Sequence, residues 1–440
     1  MSNSKKKPVA KADRPSSTDF GEVGSSGLVQ YGGRVEEDFL RQLQGPKATS
    51  TYREMADNHP VIGAILLAIE MQFRAVEWTV KPSDPNNDAA IAEAEFLSGC
   101  LDDMSASWDD TLSNILTMLV YGFSVHEIVY KRRLGFSQDG KTSKYDDGRI
   151  GWRKLPIRAQ STIDGWDIDN HGGIQGCFQV DSSSARGRVE IPIEKMLLFR
   201  TTSKLNNPRG RSILRNAYVP WYYQRRILEI EAMGIERDLA GLPVAYVPPQ
   251  LLSDNATDQE RAALDAIKEI IRNIRRDEQE GLVFPLAYDP ETGQKAYDIQ
   301  LMTTGGKRQF DTNAIATRYD ARIAMSVLAD FVMLGHDKIG TQALSVSKIS
   351  LFQDSIAAWL EAITSVFNRH AIPRLMRLNG VSADLFPTLN YSAPRSVDLQ
   401  EISNYVSQLS AAGAILPDDN LAGWLRDLAG MPAEEAEVLE

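Results

Sequence analysis

Two long helical patterns on either side of a small mixed segment constrain this chain more than any other feature. The first runs from Ile213 to about Ala240 and the second from about Phe310 to Met333. In the second, Ile315, Tyr319, Ile323, Val327 and Phe331 recur at every fourth residue, which places them on one helix face. Arg318, Asp320 and Arg322 fall off that stripe. Pro220 lies inside the first pattern and predicts a kink, because a proline ring clashes with the carbonyl four residues back. Pro243 and Pro248-Pro249 mark the exit from it. In the segment between, Thr257-Asp-Gln-Glu260 has the spacing of a capping box, in which the two side chains satisfy each other's free backbone N–H groups. The helix it opens puts Ala263, Ile267, Ile270, Ile271 and Ile274 on one face. Asp265, Lys268, Glu269, Arg272 and Arg276 charge the other. Gly281–Pro285 and Ala296–Met302 read as flanking strands.

The rest of the chain alternates between helix and strand. Residues 1–30 are rich in Ser, Lys and Gly and read as a disordered tail made basic by Lys5, Lys6, Lys7, Lys11 and Arg14. Tyr52 to about Val76 has helical periodicity, and Glu77–Pro82 reads as a strand stopped by its proline. Helices are predicted at about 86–104 and 108–121, and an alternating strand over Phe123–Lys131. Several short strands between Trp152 and about Arg200 are broken at Gly172-Gly173 and Gly187, which makes 31–205 one α+β domain. Asn206-Asn207-Pro208-Arg209-Gly210 is a turn cluster. Gly335–Ser347 is polar and glycine-punctuated, and a further helix runs from about Lys348 to Leu378 with an interruption at Pro373. There is no internal repeat and no run of coiled-coil heptads.

Catalysis finds no motif to rest on. The 440 residues carry a net charge of −11, which argues against tight duplex binding but does not exclude a protein that lets DNA slide. Cys100 and Cys177 make neither a disulfide framework nor a zinc site, and fit a reducing compartment. No signal-peptide core is visible near Met1, and the longest apolar stretch, Val61–Ile69, is far too short to span a membrane. His126-Glu127 has Tyr130 where a zinc-protease helix needs its second histidine. Gly306-Lys307 is followed by Arg308 rather than Ser or Thr, and Gly335–Gly340 by Thr341 rather than Lys, so neither is a phosphate-binding loop. The pairs Asp102-Asp103, Asp109-Asp110, Asp146-Asp147 and Asp418-Asp419 fall in helix-start or turn contexts, where capping carboxylates are common. They and His336-Asp337 are the weak candidates for a metal-dependent nuclease. No catalytic residue, cofactor or metal is expected.

Four segments together resemble the portal proteins of tailed bacteriophages, in their Mu-like branch. They are Asp57–Gly63 leading to Val76–Pro82; Tyr121–Tyr130; Pro208–Tyr218 with Trp221, Glu236-Arg237 and Gly241–Pro243; and Gly413–Asp418 with Leu428–Pro432. The resemblance implies an elongated α+β subunit of a homo-oligomeric ring, expected to be a dodecamer. Its parts would be a wing at 31–205, a stem helix at 206–240, a clip at 241–305, a second stem helix at 306–335, a tunnel loop at 336–347 and a C-terminal wing with a short crown at 348–440. It further implies a ring at one capsid vertex of the virion, assembled from chains made in the host cytoplasm. Double-stranded DNA would be packaged and later ejected through it, with no membrane involved. The terminase large subunit, the head–tail adaptor or neck protein, and the major capsid and scaffold proteins would be its partners. His336, Lys338, Thr341, Gln342, Ser345 and Lys348 are then the expected DNA-facing residues, with Lys307 and Arg308 nearby. Glu260, Asp265, Lys268, Glu269, Arg272 and Arg276 are the expected docking residues of the clip. Another head–tail ring or adaptor is the alternative of the same structural class; the length of 440 residues disfavours it.

Overall fold

The computed structural model describes residues 24–137, 142–181, 187–240, 242–273, 288, 298–302, 311–327, 342–392, 406–410 and 423. In chain order these form β1 (Gln30–Tyr31), β2 (Arg34–Val35), α1 (Gly45–Asn58), α2 (Pro60–Arg74), β3 (Trp78–Lys81), α3 (Asp88–Asp102), α4 (Trp108–Tyr121), β4 (Phe123–Glu127), β5 (Val129–Arg132), β6 (Ile150–Lys154), β7 (Ile157–Arg158), β8 (Ile163–Ile168), β9 (Ile174–Val180), β10 (Arg188–Pro192) and β11 (Met196–Arg200). Then come α5 (Tyr218–Ala240), β12 (Leu242–Tyr246), α6 (Asp258–Asn273), β13 (Asp298–Met302), α7 (Thr312–Ser326), α8 (Gln342–Val366), α9 (Ile372–Leu378) and β14 (Thr388–Tyr391). The chain divides into two compact units, one of 1–213 with 334–440 and one of 214–333.

The first unit holds small antiparallel sheets rather than one large one. Their orders are β10-β9-β8 and β11-β4-β7, with the pairs β1-β2, β5-β6 and β14-β3. One core cluster gathers Val35, Phe123, Val125, Ile163, Trp166, Cys177, Ile191 and Met196. A second centres on Phe367, whose ring lies 5.3 Å from Trp108, 5.7 Å from Phe199 and 6.2 Å from Trp152. Edge-to-face geometry suits the ring quadrupoles and adds to the area they bury. Trp78 extends this chain of rings to Trp108 on one side and Tyr391 on the other, which ties β3 and β14 to it.

Local chemistry explains most element ends. Ser107 caps α4 by accepting from the Asp110 N–H at 3.0 Å, and Asp109 and Asp110 lie in its first turn, where the helix dipole favours negative charge. Gly122 ends the helix in the left-handed region at φ 90°. A Cβ there would sit 2.5 Å from the Arg209 carbonyl oxygen, and one on Gly210 would collide with the Gly122 carbonyl. The two glycines therefore let the end of α4 and the Pro208-Arg209-Gly210 turn touch backbone to backbone. Thr201 closes the contact by donating to the Arg211 carbonyl at 2.5 Å, and its N–H meets the Gly122 carbonyl at 3.1 Å. Arg209 is partly buried in this junction, with its guanidinium 5.4 Å from the Phe123 ring and bonded to the Gly45 carbonyl at 3.0 Å.

Several boundaries differ from the sequence reading. The helix expected over Tyr52–Val76 is two helices. Pro60 holds His59 extended at φ −96°, ψ 117°, as a residue before proline is held. The strand expected over Phe123–Lys131 is β4 and β5, in different sheets. The long helix after the polar segment begins at Gln342 rather than Lys348. Its interruption is a π-turn, Phe367–Ala371, where the Ile372 N–H bonds the Phe367 carbonyl five residues back. Pro373, with no N–H to donate, follows in the first turn of α9. Gly281–Pro285, the tail up to residue 23 and the Gly413–Pro432 motifs lie outside the described residues.

The buried polar groups of the first unit are structural. Lys131 Nζ donates to the Asp103 carboxylate at 2.9 Å and to the carbonyls of Asp103 and Thr142. Burial pushes the Asp103 carboxyl up, but hydrogen bonds from Ser143, the Lys144 N–H and Lys131 outweigh it and hold it below its usual value. Burial pushes the Cys100 and Cys177 thiols up to about 11 and about 12, so both stay protonated and unreactive. His126 is fully buried in β4, with Nδ1 2.8 Å from the Leu155 carbonyl and Nε2 2.9 Å from Ser124 Oγ. A carbonyl only accepts, so Nδ1 carries the proton. Burial pushes this histidine down from 6.5 to about 4. Above pH 6.5 it is neutral whether folded or unfolded and contributes no pH dependence. Between 6.5 and 4 the unfolded chain binds the proton and the folded one does not. Stability should therefore fall with pH across that window by on the order of 3 kcal/mol. Urea midpoints measured from pH 7 to pH 4 should show this slope, and a His126→Gln variant should lose it.

Candidate assembly surface

The second unit pairs the two long helices, α5 and α7. Gln224 is buried between them and donates from Nε2 to Asp320 Oδ1 at 2.8 Å and to the Ala316 carbonyl at 3.2 Å. Thr312 at the start of α7 donates to Glu231 Oε1. Trp221, Ile323 and Val327 are buried, and Ile315 and Tyr319 partly so, as the fourfold stripe requires. Asp320 lies off that stripe yet faces α5 through Gln224, a contact no single-helix pattern contains. Pro220 makes no interior kink. Ile213–Arg215 is a separate 3₁₀ turn, α5 starts at Tyr218, and Pro220 occupies the first turn, where no N–H is needed.

A second apolar side of α5 has no such cover among the described residues. Val219, Tyr222, Tyr223, Ile230 and Met233 are all exposed, Ile230 to 62% and Met233 to 51%. At 3.6 residues per turn they fall within an arc of about 100°. Arg226 shares the arc and pairs with Glu229 at 3.4 Å. Beside it lies a groove of about 210 Å³ lined by Ile227, Ile230, Glu231, Gly234 and Thr312. A side chain at Gly234 would meet nothing within 4 Å. Isolated exposed apolar residues are ordinary, but a stripe along one helix beside an apolar groove marks an interaction surface. Covering it would contribute on the order of 1 kcal/mol or more per side chain.

The insertion between the helices holds the antiparallel pair β12-β13, with α6 against β12 and the turn Pro249–Leu252. β12 went unread in the sequence because Pro243 looked like a breaker. Both strands of a two-stranded ladder are edges, where proline is tolerated. The capping box forms: Thr257 N–H reaches Glu260 Oε2 at 2.7 Å and Glu260 N–H reaches Thr257 Oγ1 at 3.4 Å. The Thr257 N–H and then its hydroxyl, both donating to the Glu260 carboxylate, hold that carboxyl below its usual value. Asp265, Lys268 and Glu269 are exposed as expected, the first two 3.3 Å apart. Ile267, Ile270 and Ile271 are buried or partly buried as expected; Ala263 is exposed, and Leu264 takes its place on one side with Ile267 and Ile271. Their i, i+3, i+7 spacing follows the side that the turn and β12 cover. Arg272 lies in the backbone of α6, and Arg276 and Ile274 lie outside the described residues. Replacing Thr257 by Ala should cost about 1 kcal/mol, read as earlier hydrogen exchange or proteolysis within α6.

Of the residues expected to face DNA, His336, Lys338 and Thr341 lie outside the described residues, as do Lys307 and Arg308. Gln342, Ser345 and Lys348 lie in the helical backbone of α8, so the loop expectation is corrected from Gln342 onward. The sequence carries no glycine or proline between Gly340 and Pro373, and Ala343 and Leu344 favour helix. Asp102 pairs with Lys144 at 2.8 Å and Asp147 with Arg133 at 3.0 Å. Among the described residues no three His, Cys, Asp or Glu side chains converge on a metal position. No helix among them is long and apolar enough to cross a membrane.

The fold has counterparts among solved structures. The neck of an empty GTA particle computed with C6 symmetry contains a chain 13% identical, matching at TM-score 0.51 over 88% of this chain and 94% of that one. The neck of a native GTA particle computed with C12 symmetry matches at 13% identity and TM-score 0.51 over 89% and 95%. At that identity the likeness is one of fold. Residues 49–428 match the family described as the portal protein of Mu bacteriophage, and the chain belongs to that family. Its members are structural proteins rather than enzymes, and so is this chain.

Proposed function

We propose that the chain is one subunit of the portal ring at a capsid vertex, through which double-stranded DNA is packaged and later ejected. The family match over 49–428 carries this reading. Twelve copies fit the C12 symmetry of a GTA neck that shares the fold. A ring needs a heterologous contact, one surface meeting a different surface on the next copy. The uncovered apolar side of α5, with the groove at Gly234, is the surface we assign to that contact. In this reading α5 and α7 are the stem, the segment 241–305 is the clip, and 31–205 with the C-terminal region is the wing. The charged face of α6 is where the terminase large subunit and then the head–tail adaptor would dock, and capsid and scaffold proteins would contact the wing. The segment around His336–Thr341 would touch DNA in transit.

Native mass spectrometry with end-on imaging tests the ring. The unaltered protein should form rings of about twelve with a hole wide enough for duplex DNA. Ile230→Asp with Met233→Asp should leave far-UV dichroism and melting unchanged but yield monomers, because two carboxylates would be buried unpaired at each contact. Rings that persist in this variant would move the contact elsewhere. Deleting 338–345 should leave rings intact and lower the DNA packaged per particle. Rings that package normally after that deletion would remove the loop from DNA transit.

A further inference from the structure

Three arginines and a histidine of the first unit gather where β11 runs beside the α8–α9 helix. Arg374 donates from Nη1 to the Met196 carbonyl at 2.8 Å, which fastens α9 to the first residue of β11. His370 lies one turn earlier, at the i, i+4 spacing that shares a helix face, with Arg369 beside it. β11 ends at Arg200, whose Nη1 donates to Asn206 Oδ1 and the Asn207 carbonyl, each at 3.1 Å. Arg369 and His370 are exposed, and Arg374 and Arg200 are partly buried. Burial first, then the charges of Arg374, Arg369 and Arg200, hold His370 below its ordinary value. Glu194 is the carboxylate at the margin, acting on Arg374.

Among the described residues none of these four side chains makes an ion pair, although acidic residues outnumber basic ones in the chain, 59 to 48. Leaving the three guanidiniums together without an ion-pair partner costs stability, and nothing in the packing requires the exposed Arg369 to be cationic. The π-turn adds a second observation. It widens the helix at Phe367–Ala371. Asn368 within it holds the Leu389 backbone from both sides, at 2.8 and 3.0 Å, so the turn is fixed rather than frayed. Such turns concentrate at functional sites. Two guanidiniums anchored on carbonyls keep their remaining N–H groups in fixed directions, which suits them to bind oxyanions.

We propose that Arg200, Arg369, His370 and Arg374 form a site for backbone phosphates of double-stranded DNA, separate from the segment assigned to DNA in transit. The choice of DNA as the polyanion rests on the portal reading, which sets a duplex against every copy. The test is duplex binding by the full chain, followed by fluorescence anisotropy with a labelled 20-base-pair duplex from low to moderate salt. Arg369→Glu with His370→Glu should weaken binding at least tenfold at low salt. The slope of log affinity against log salt should shrink by about one, for the phosphate that Arg369 no longer neutralises. Arg53→Glu, an exposed change on α1, should leave affinity within twofold and the slope unchanged. Equal slopes in the double variant and the unaltered protein, or no duplex binding by the unaltered protein at low salt, would overturn the site. A decaglutamate peptide that displaces the duplex at lower charge concentration than unlabelled duplex would assign the patch to an acidic protein segment instead. Imaging of the same samples separates the two readings. Normal rings with an unchanged slope count against this site alone, whereas absent rings in the unaltered protein count against the portal reading.

Discussion

The Phe367 ring is the contact on which the first unit depends. It comes from the π-turn after α8, far along the chain, yet it packs on Trp108 from α4, Trp152 from β6 and Phe199 from β11. The second unit interrupts the sequence of the first, so the two segments of the first unit must be rejoined by tertiary contacts. Aromatic rings suit that task, because each buries a large area with few rotors to freeze. The pairing of β14 with β3 and the bond from Arg374 to Met196 add backbone and polar contacts to the same seam. The sheets are small and mostly two- or three-stranded, and sheets of that size depend on packing from other elements.

A second constraint is the backbone contact between Gly122 and Gly210. It sets the end of α4 against the turn that leads out of the first unit, with Arg209 partly buried beside it. Tyr121-Gly122-Phe123 and Pro208-Arg209-Gly210 belong to two of the motifs that carry the portal resemblance. The structure shows them as two sides of one junction, which gives a physical reason for both glycines. Any Cβ at either position would force the backbones apart.

The second unit follows a different logic. Its helix pair is held by a buried Gln224–Asp320 bond and a narrow apolar seam, and α5 has another apolar side that the unit itself leaves uncovered. A helix apolar on two sides is stable in water only when something covers the second. In the portal reading that cover is the next copy, so the free subunit carries a surface whose stabilisation arrives with assembly.

Local chemistry was legible from the residues alone. The Thr257–Glu260 box, the pattern of α7 and the strand before Pro82 depend on neighbours a few residues apart, and the structure agrees. The halves of the Tyr52–Val76 helix, the strand through Pro243, the exposure of Ala263 and the start of α8 were misread. Pro60 split the first through the residue before it, and the free edge of a two-stranded ladder admitted Pro243. The turn and β12 set the covered side of α6, and a run without glycine or proline extended α8. The uncovered face of α5 was hidden for a related reason, since a pattern shows which residues are apolar but not which side another helix takes. The cation cluster is the extreme case, because Arg200 and Arg374 lie in distant segments. The sequence by itself determined element types, caps and family. Only the tertiary structure decided which faces remained open and which charges met, because these depend on how distant segments pack in space, and spacing along the chain does not encode that.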